Sequence, residues 1–244
     1  MENYSTFAQL YDQLFDSSLY LQWRSFVLPN SRPGKLLDIG GGNGQLGVML
    51  AADGYDVTIL DLSLEMLQIA QTRAENAHRQ IDLVNDNMLT FELDEVFSTI
   101  TSFTDSINYL SSQEQLLQTF KNVYAHLDDD GVFLFDLITP HMANVTYDNY
   151  MYNDDSNEDA IFMWTSYPGD EPDSVDHDLK FFIYDDKIDG YKIVREIHHE
   201  QTYPSQTVVD LLKEAGFTSI EISADYGESK VEEDTDRVFY KVQK

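Results

Sequence analysis

Four positions of one short stretch, Asp38-Ile39-Gly40-Gly41-Gly42-Asn43-Gly44, alternate an acid or glycine with other residues directly after an apolar run, 36–39. Glycines there let the backbone approach a ligand closely, and the N–H groups that open the following helix point at it. Asp38 is placed to orient a ligand ammonium. A second acid, Asp61, ends the extended run 57–60 and can accept both hydroxyls of a ribose; its plainer role is a negative charge at a helix N-terminus. A third, Asp86 in Val84-Asn85-Asp86-Asn87, can accept from an adenine amino group or simply form a turn. The chemistry these residues suit is nucleoside binding. Residues 42–47 also satisfy G-x-G-x-x-G, so a nicotinamide dinucleotide remains a competing ligand at this point. Two features weigh against it. Asp38 would crowd a pyrophosphate, and a later aromatic insertion falls where a substrate lid would lie rather than a second nucleotide-binding half.

Proton-transfer candidates gather near the end of that insertion: His198, His199, Glu196 and Tyr203, with His141 at its start. Strand alternation puts His198 and His199 on opposite faces, so one of them at most meets a cleft unless the strand bulges. A surface or structural role is the commoner fate of any one such histidine. The histidines offer no i, i+4 ligand pair, and the acidic loops lack the glycine and terminal glutamate of a calcium loop, so no essential metal is expected. The chain has no cysteine, which excludes thiolate zinc sites, disulfides and a cysteine nucleophile.

The elements that must hold these groups follow from periodicity. Phe7, Leu10, Tyr11, Leu14 and Phe15 recur at helical spacing, a second helix covers about 20–28, and Pro29 and Pro33-Gly34 stop it. Strand 36–39, helix 45–52 and strand 57–60 form a strand–helix–strand unit. Ser63 caps a helix over 64–77, strands follow at 81–84, 97–103 and 131–137, and a helix spans 113–127 between the last two. This alternation predicts a parallel sheet covered on both faces. After Pro140 the texture becomes aromatic and acidic, with runs 161–167, 179–184 and 191–197 that read as antiparallel strands. A helix over 205–215 and strands 220–223 and 237–242 then resume the αβ pattern. The expected division is a core of 1–139 and 205–244 with an inserted, substrate-side lid at 140–204. The aromatic residues of the insertion, Phe162, Trp164, Tyr167, Phe181, Phe182, Tyr184 and Tyr191, are expected mostly to pack its own core.

The 244 residues hold 44 acidic against 15 basic side chains, a net charge of −29, which repels phosphate backbones and anionic membranes. No nucleic-acid or membrane partner is expected. No apolar run spans a bilayer and the first residues lack the pattern of a secretion signal, which agrees with a cytoplasmic, soluble protein. The acid clusters, such as Asp128-Asp129-Asp130, look like solvated loop tips.

With Asp61-Leu62-Ser63-x-Glu65-Met66-Leu67, Asp86, Asp105-Ser106-Ile107-Asn108-Tyr109 and Leu211-Leu212-Lys213-Glu214-Ala215-Gly216-Phe217 in this order, the chain resembles the class I S-adenosylmethionine-dependent methyltransferases. The likeness runs nearly end to end and is closest to a bacterial small-molecule branch. It implies an α/β, Rossmann-like seven-stranded sheet, its last strand antiparallel, with helices on both faces plus a small inserted antiparallel β module. It implies S-adenosylmethionine as cofactor and a small-molecule acceptor. Gly40, Gly42 and Gly44 would border the methionine portion, Asp61 the ribose, Leu62 and Met66 the adenine, and Asp86 with the Asn87 amide its amino edge. Thr104 and Asp105 would line the methionine side, and Tyr11 would close over the cofactor. In such an enzyme the protein mainly orients and desolvates, and an acceptor hydroxyl or ammonium needs a base; His198, Tyr203 and Tyr11 are the catalytic candidates. Related sequences carry His-x-x-Arg-x-Tyr before the last helix, where this chain has His198 to Tyr203 with Gln201 in the arginine position, so a cation for an acceptor carboxylate is lost. A nicotinamide-dependent oxidoreductase and a non-catalytic cofactor-binding module are the alternatives.

Overall fold

The computed structural model describes residues 17–244. Tyr11 and the helix expected around it lie outside the described residues. The chain runs α1 (Ser17–Asn30), β1 (Lys35–Ile39), α2 (Gln45–Ala52), β2 (Asp56–Asp61), α3 (Leu64–Asn76), β3 (Asp82–Asn85), β4 (Phe97–Ser102), α4 (Gln113–His126) and β5 (Leu127–Ile138). Then follow β6 (Met151–Asp154), β7 (Ala160–Pro168), β8 (Ser174–Asp185), β9 (Gly190–Gln201), α5 (Ser205–Ala215), β10 (Ser219–Ser223) and β11 (Arg237–Gln243).

Seven strands form one sheet in the order β10-β11-β5-β4-β1-β2-β3, parallel except for β11, which is antiparallel to both neighbours. Side-chain alternation divides the core into two layers. On one face Leu37, Phe133, Phe135 and Tyr240 pack against Leu116, Phe120 and Val123 of α4 and Val208 and Leu212 of α5. On the other, Leu36, Val57, Ile59, Leu134 and Phe239 meet Trp23 and Phe26 of α1, Leu46 and Leu50 of α2, and Leu67 and Ala70 of α3. Because β1 lies between β2 and β4, the chain leaves its end toward one face and leaves β4 toward the other. That topological switch opens a crevice at the strand ends, where ligands of such sheets sit.

The second sheet, β6-β7-β8-β9, is antiparallel throughout and lies in the chain between β5 and α5. Its strands are longer than periodicity suggests, and β6 is an addition to the three expected runs. Phe162, Leu179 and Phe181 make its small core, with Trp164 against it, while Tyr184 and Tyr191 face each other at the exposed hairpin end. Pro29 lies inside the last turn of α1 rather than ending the helix before it. Asp128-Asp129-Asp130 are exposed at the start of β5, where the ladder with β4 shifts register.

Candidate functional site

Gly40, Gly42 and Gly44 all take left-handed backbone angles, φ 66°, 53° and 72°. At Gly42 a Cβ would meet nothing within 4 Å, so this turn leaves an open cradle on its ligand side. At Gly44 a Cβ would lie 2.7 Å from the Ala70 Cβ, so glycine here also lets α2 and α3 close on each other. The turn is tied to β2 through Asp61, whose Oδ2 accepts from the Gly42 N–H and Oδ1 from the Ser63 N–H, each at 2.8 Å. Each carboxylate oxygen retains lone-pair capacity, as a ribose requires. Burial raises the Asp61 pKa, opposed by these backbone N–H groups.

Asp38 is buried beneath the turn and accepts from the Thr101 hydroxyl at 2.7 Å. Burial pushes its pKa up to about 7, with the Thr101 hydrogen bond opposing and the Asp61 charge adding to the rise. After β4, Thr104 and Asp105 are both left-handed, φ 57° and 59°, a conformation that costs non-glycine residues about 1–2 kcal/mol each. The strain is held by Asp105, which pairs with Arg237 of β11 and whose N–H donates to Asp136 Oδ1 at 3.2 Å. Asp136, fully buried at the end of β5, also accepts from Arg237 at 2.9 Å and from the Trp23 indole N–H at 2.7 Å. Burial raises the Asp136 pKa against the pull of Arg237, while Arg237, although desolvated, is kept charged by Asp105 and Asp136.

A cavity of about 320 Å³ occupies the crevice, within the usual size of small-molecule sites. Its core side is formed by Asp38, Gly40, Gly41, Gly42, Met66, Thr104 and Asp105, and its other side by Trp164, His177, His198 and Glu200 of the second sheet. His198 Nδ1 lies 2.7 Å from the Tyr109 hydroxyl and its Nε2 3.1 Å from Glu196 Oε2. His199 points elsewhere, to Asp176 at 2.7 Å, as alternation along β9 requires.

Several expected site residues stand apart from this cavity. Tyr203 is buried in the main core with its hydroxyl donating to the Leu110 carbonyl at 2.5 Å, so packing rather than proton transfer is what its surroundings provide. His141 pairs with Asp236, and Gln201 donates to the carbonyls of Pro172 and Thr202. Asp61, Asp86, Asn87 and the 71 % exposed Leu62 are not among the lining residues. Asp86 Oδ1 accepts from the Asn87 N–H at 2.7 Å, and the Asp86 N–H donates to the Asp61 carbonyl, which joins the ends of β2 and β3.

His177 and Glu200 line the cavity although no motif in the sequence singles them out. Glu200 lies two residues beyond His198, and the period-two rule that separates His198 from His199 puts Glu200 on the His198 face; that signal was present. His177 carried none, because its neighbour across the ladder, His198, is set by the β8–β9 register. His177 Nδ1 receives the Trp164 indole N–H at 3.1 Å and lies 2.7 Å from Ser166 Oγ, and burial lowers the ring's pKa to about 4.

The sheet with one antiparallel strand between β5 and β10 differs from the all-parallel dinucleotide-binding order, and a glycine turn, an acid at the β2 end and a crevice at the strand ends suit a protein that binds a nucleoside cofactor. Residues 36–131 match the methyltransferase domain family. The chain is 37 % identical, over 99 % of both chains, to a methyltransferase-designated protein of Geobacillus sp. (strain WCH70). It is 31 % identical to the methyltransferase-designated protein YqeM of Bacillus subtilis (strain 168), over 99 % of this chain and 97 % of that one. Among solved structures it is similar to a S-adenosylmethionine-dependent methyltransferase from Clostridium acetobutylicum ATCC 824, with TM-score 0.85, 27 % identity and 98 % of each chain covered. The chain belongs to the class I S-adenosylmethionine-dependent methyltransferases, and the nicotinamide alternative is set aside.

Proposed function

We propose that this methyltransferase transfers the methyl group of S-adenosylmethionine to a nitrogen or oxygen of a small-molecule acceptor held beneath the second sheet. The observation that carries this reading is the cavity lined on one side by the glycine turn and on the other by β7, β8 and β9. The core would be 1–139 and 205–244, and 140–204 the lid. Bound cofactor supplies a methyl group already activated on a sulfonium sulfur. The chain's residues would hold it: Gly40, Gly42, Gly44, Asp38, Thr104 and Asp105 at the methionine end, Asp61 at the ribose, and Leu62, Met66, Asp86 and Asn87 at the adenine. His198, on the lid side of the cavity, is the lid histidine proposed to contact the acceptor.

Calorimetric titration with S-adenosylhomocysteine, followed by transfer of labelled methyl from S-adenosylmethionine into the small-molecule fraction of a cell extract, tests the proposal. Label confined to protein or nucleic acid overturns the small-molecule reading. Tight cofactor binding without any labelled product supports a non-catalytic binding module instead.

Asp38 adds a pH signature. Its raised pKa favours the neutral form, so its stabilisation of the free fold is complete below the ordinary carboxylate range and is lost as pH rises through about 7. A cofactor ammonium favours the ionised form. Affinity for S-adenosylhomocysteine should therefore weaken about tenfold between pH 8 and pH 6. Titrations at both values check this, and Asp38→Asn should flatten the dependence.

A further inference from the structure

Glu200 is 4 % exposed and lines the cavity, yet its Oε2 has no hydrogen-bond partner among the described residues. A buried carboxyl oxygen left without a donor is costly unless something arrives to satisfy it. His177 is not that partner, since its Nε2 lies 3.8 Å from Glu200 Oε1 and burial keeps its ring neutral. Among the described residues, the acids and the guanidinium lining the cavity are Asp38, Asp105, Glu200 and Arg237, and Arg237 is already engaged by Asp105 and Asp136. The described lining thus sets three carboxyl groups against one guanidinium that is already engaged, and a cation arriving there favours their ionised forms. Aromatic faces surround it: Tyr147, Trp164 and Phe162, with Trp164 edge-on to His177 at 5.4 Å. An acid among aromatic rings suits a compact cation.

Glu200 is also held firmly. Next to it, the Gln201 carbonyl accepts from Asn108 Nδ2 at 2.9 Å, and the Asn108 Oδ1 accepts from the Ile138 N–H at 3.0 Å. Two residues back, His198 meets Tyr109. The strand end that carries Glu200 is thereby fixed to the loop that follows β4 and borders the proposed cofactor position.

We propose that Glu200 recognises the acceptor and that the acceptor is a small amine, protonated in its resting form and without a carboxylate. The inference rests on the function proposed above and names its substrate class. The acceptor's ammonium N–H donates to Glu200 Oε2, and one proton moves onto that oxygen. The freed nitrogen lone pair forms a bond to the methyl carbon while the carbon–sulfur bond breaks and its electron pair stays on sulfur. A methylated ammonium and a neutral thioether result, and Glu200, which gave its proton to solvent as the acceptor bound, is neutral again as product leaves. Burial, with Asp105 and Asp136 adding to it against Arg237, raises the Glu200 pKa, so the carboxyl is neutral in the free protein; the arriving ammonium draws it into its ionised form, which is then a strong enough base to take the proton. Among the described lining residues the one guanidinium, that of Arg237, is committed to Asp105 and Asp136, so a carboxylate on the acceptor would find no cation there, and Gln201 faces backbone carbonyls.

The test uses the full-length protein and labelled S-adenosylmethionine on a cell extract, with the labelled small molecules passed over a cation-exchange resin at neutral pH. The wild-type product should be retained on the resin. Glu200→Gln should lower labelling about a hundredfold, leave S-adenosylhomocysteine affinity within about twofold, and raise the melting temperature of the free protein at neutral pH, because the cost of keeping a buried carboxyl protonated there is gone. Glu200→Asp, which keeps the carboxylate, should recover part of the activity. A neutral or anionic product overturns the proposal, as does undiminished labelling by Glu200→Gln. Parallel loss of S-adenosylhomocysteine binding would assign Glu200 to the cofactor and equally overturn it. If the wild type binds S-adenosylhomocysteine and labels no small molecule, the proposed function fails first and this inference with it.

Discussion

Arg237→Met should lower the melting temperature by about 6–12 °C, corresponding to about 3 kcal/mol in a chain of this size. Arg237 binds Asp136, which is fully buried, and Asp105, which is partly buried. Methionine preserves much of the stem's packing but leaves two carboxyl groups facing one another without a cation. Trp23 and the Asp105 N–H still reach Asp136, so part of the site survives. The deficit should depend on pH. Because the Asp136 pKa is already raised, its neutral form suits the folded state, and loss of Arg237 strengthens that preference. Stability of the variant should therefore fall as pH rises from about 5 to 8. Arg237→Lys keeps the charge but not the two-armed reach to both acids, so it should melt between the two. Thermal melts at pH 5 and 8 check this, and equal melting of wild type and Arg237→Met at pH 8 would refute it.

Asp61→Ala should weaken S-adenosylhomocysteine binding by about a hundredfold or more, since charge-assisted hydrogen bonds to two hydroxyls contribute about 1.5–3 kcal/mol each. The carboxylate also anchors the Gly42 N–H and caps the chain into α3 through the Ser63 N–H. Two effects are thus combined, and they separate by comparison with Asp61→Asn. Asparagine retains one acceptor oxygen and should preserve part of the turn while losing charge. Circular dichroism with calorimetry at a fixed pH measures fold and affinity together; a folded Asp61→Ala protein with unchanged affinity would remove Asp61 from the cofactor site.

Much of the core was legible because its strands are buried on both faces and its helices on one, which writes short continuous apolar runs and a period of 3.6 into the residues. Leu36 and Leu37 pack into opposite layers, and Leu116, Phe120 and Val123 mark one helix face. Element limits were less legible. Strands β8 and β9 each extend to twelve residues, beyond the expected runs, because paired polar residues such as Asp176 with His199 continue the ladder where hydrophobicity ends. The short β6 has mostly exposed residues, so no burial pattern announced it.

The glycine turn and the acids at 38, 61 and 86 were readable from spacing alone, since the backbone of one turn and the ends of consecutive strands lie close in sequence order. Local chain geometry pointed to a nucleoside but left two cofactors open, and the ordered set, through its resemblance to a family, named the class. The acceptor side required the fold. Glu200, His177, Asp105, Asp136 and Arg237 come from five separate elements, and their meeting depends on the β8–β9 register and on β11 entering the sheet beside β5. Nor could residue type distinguish Tyr203 from Glu200: both are polar, and only packing commits the tyrosine hydroxyl to a carbonyl while leaving a carboxyl oxygen without a partner. Which polar groups are satisfied is a property of contacts between distant segments, and chain order does not encode it directly.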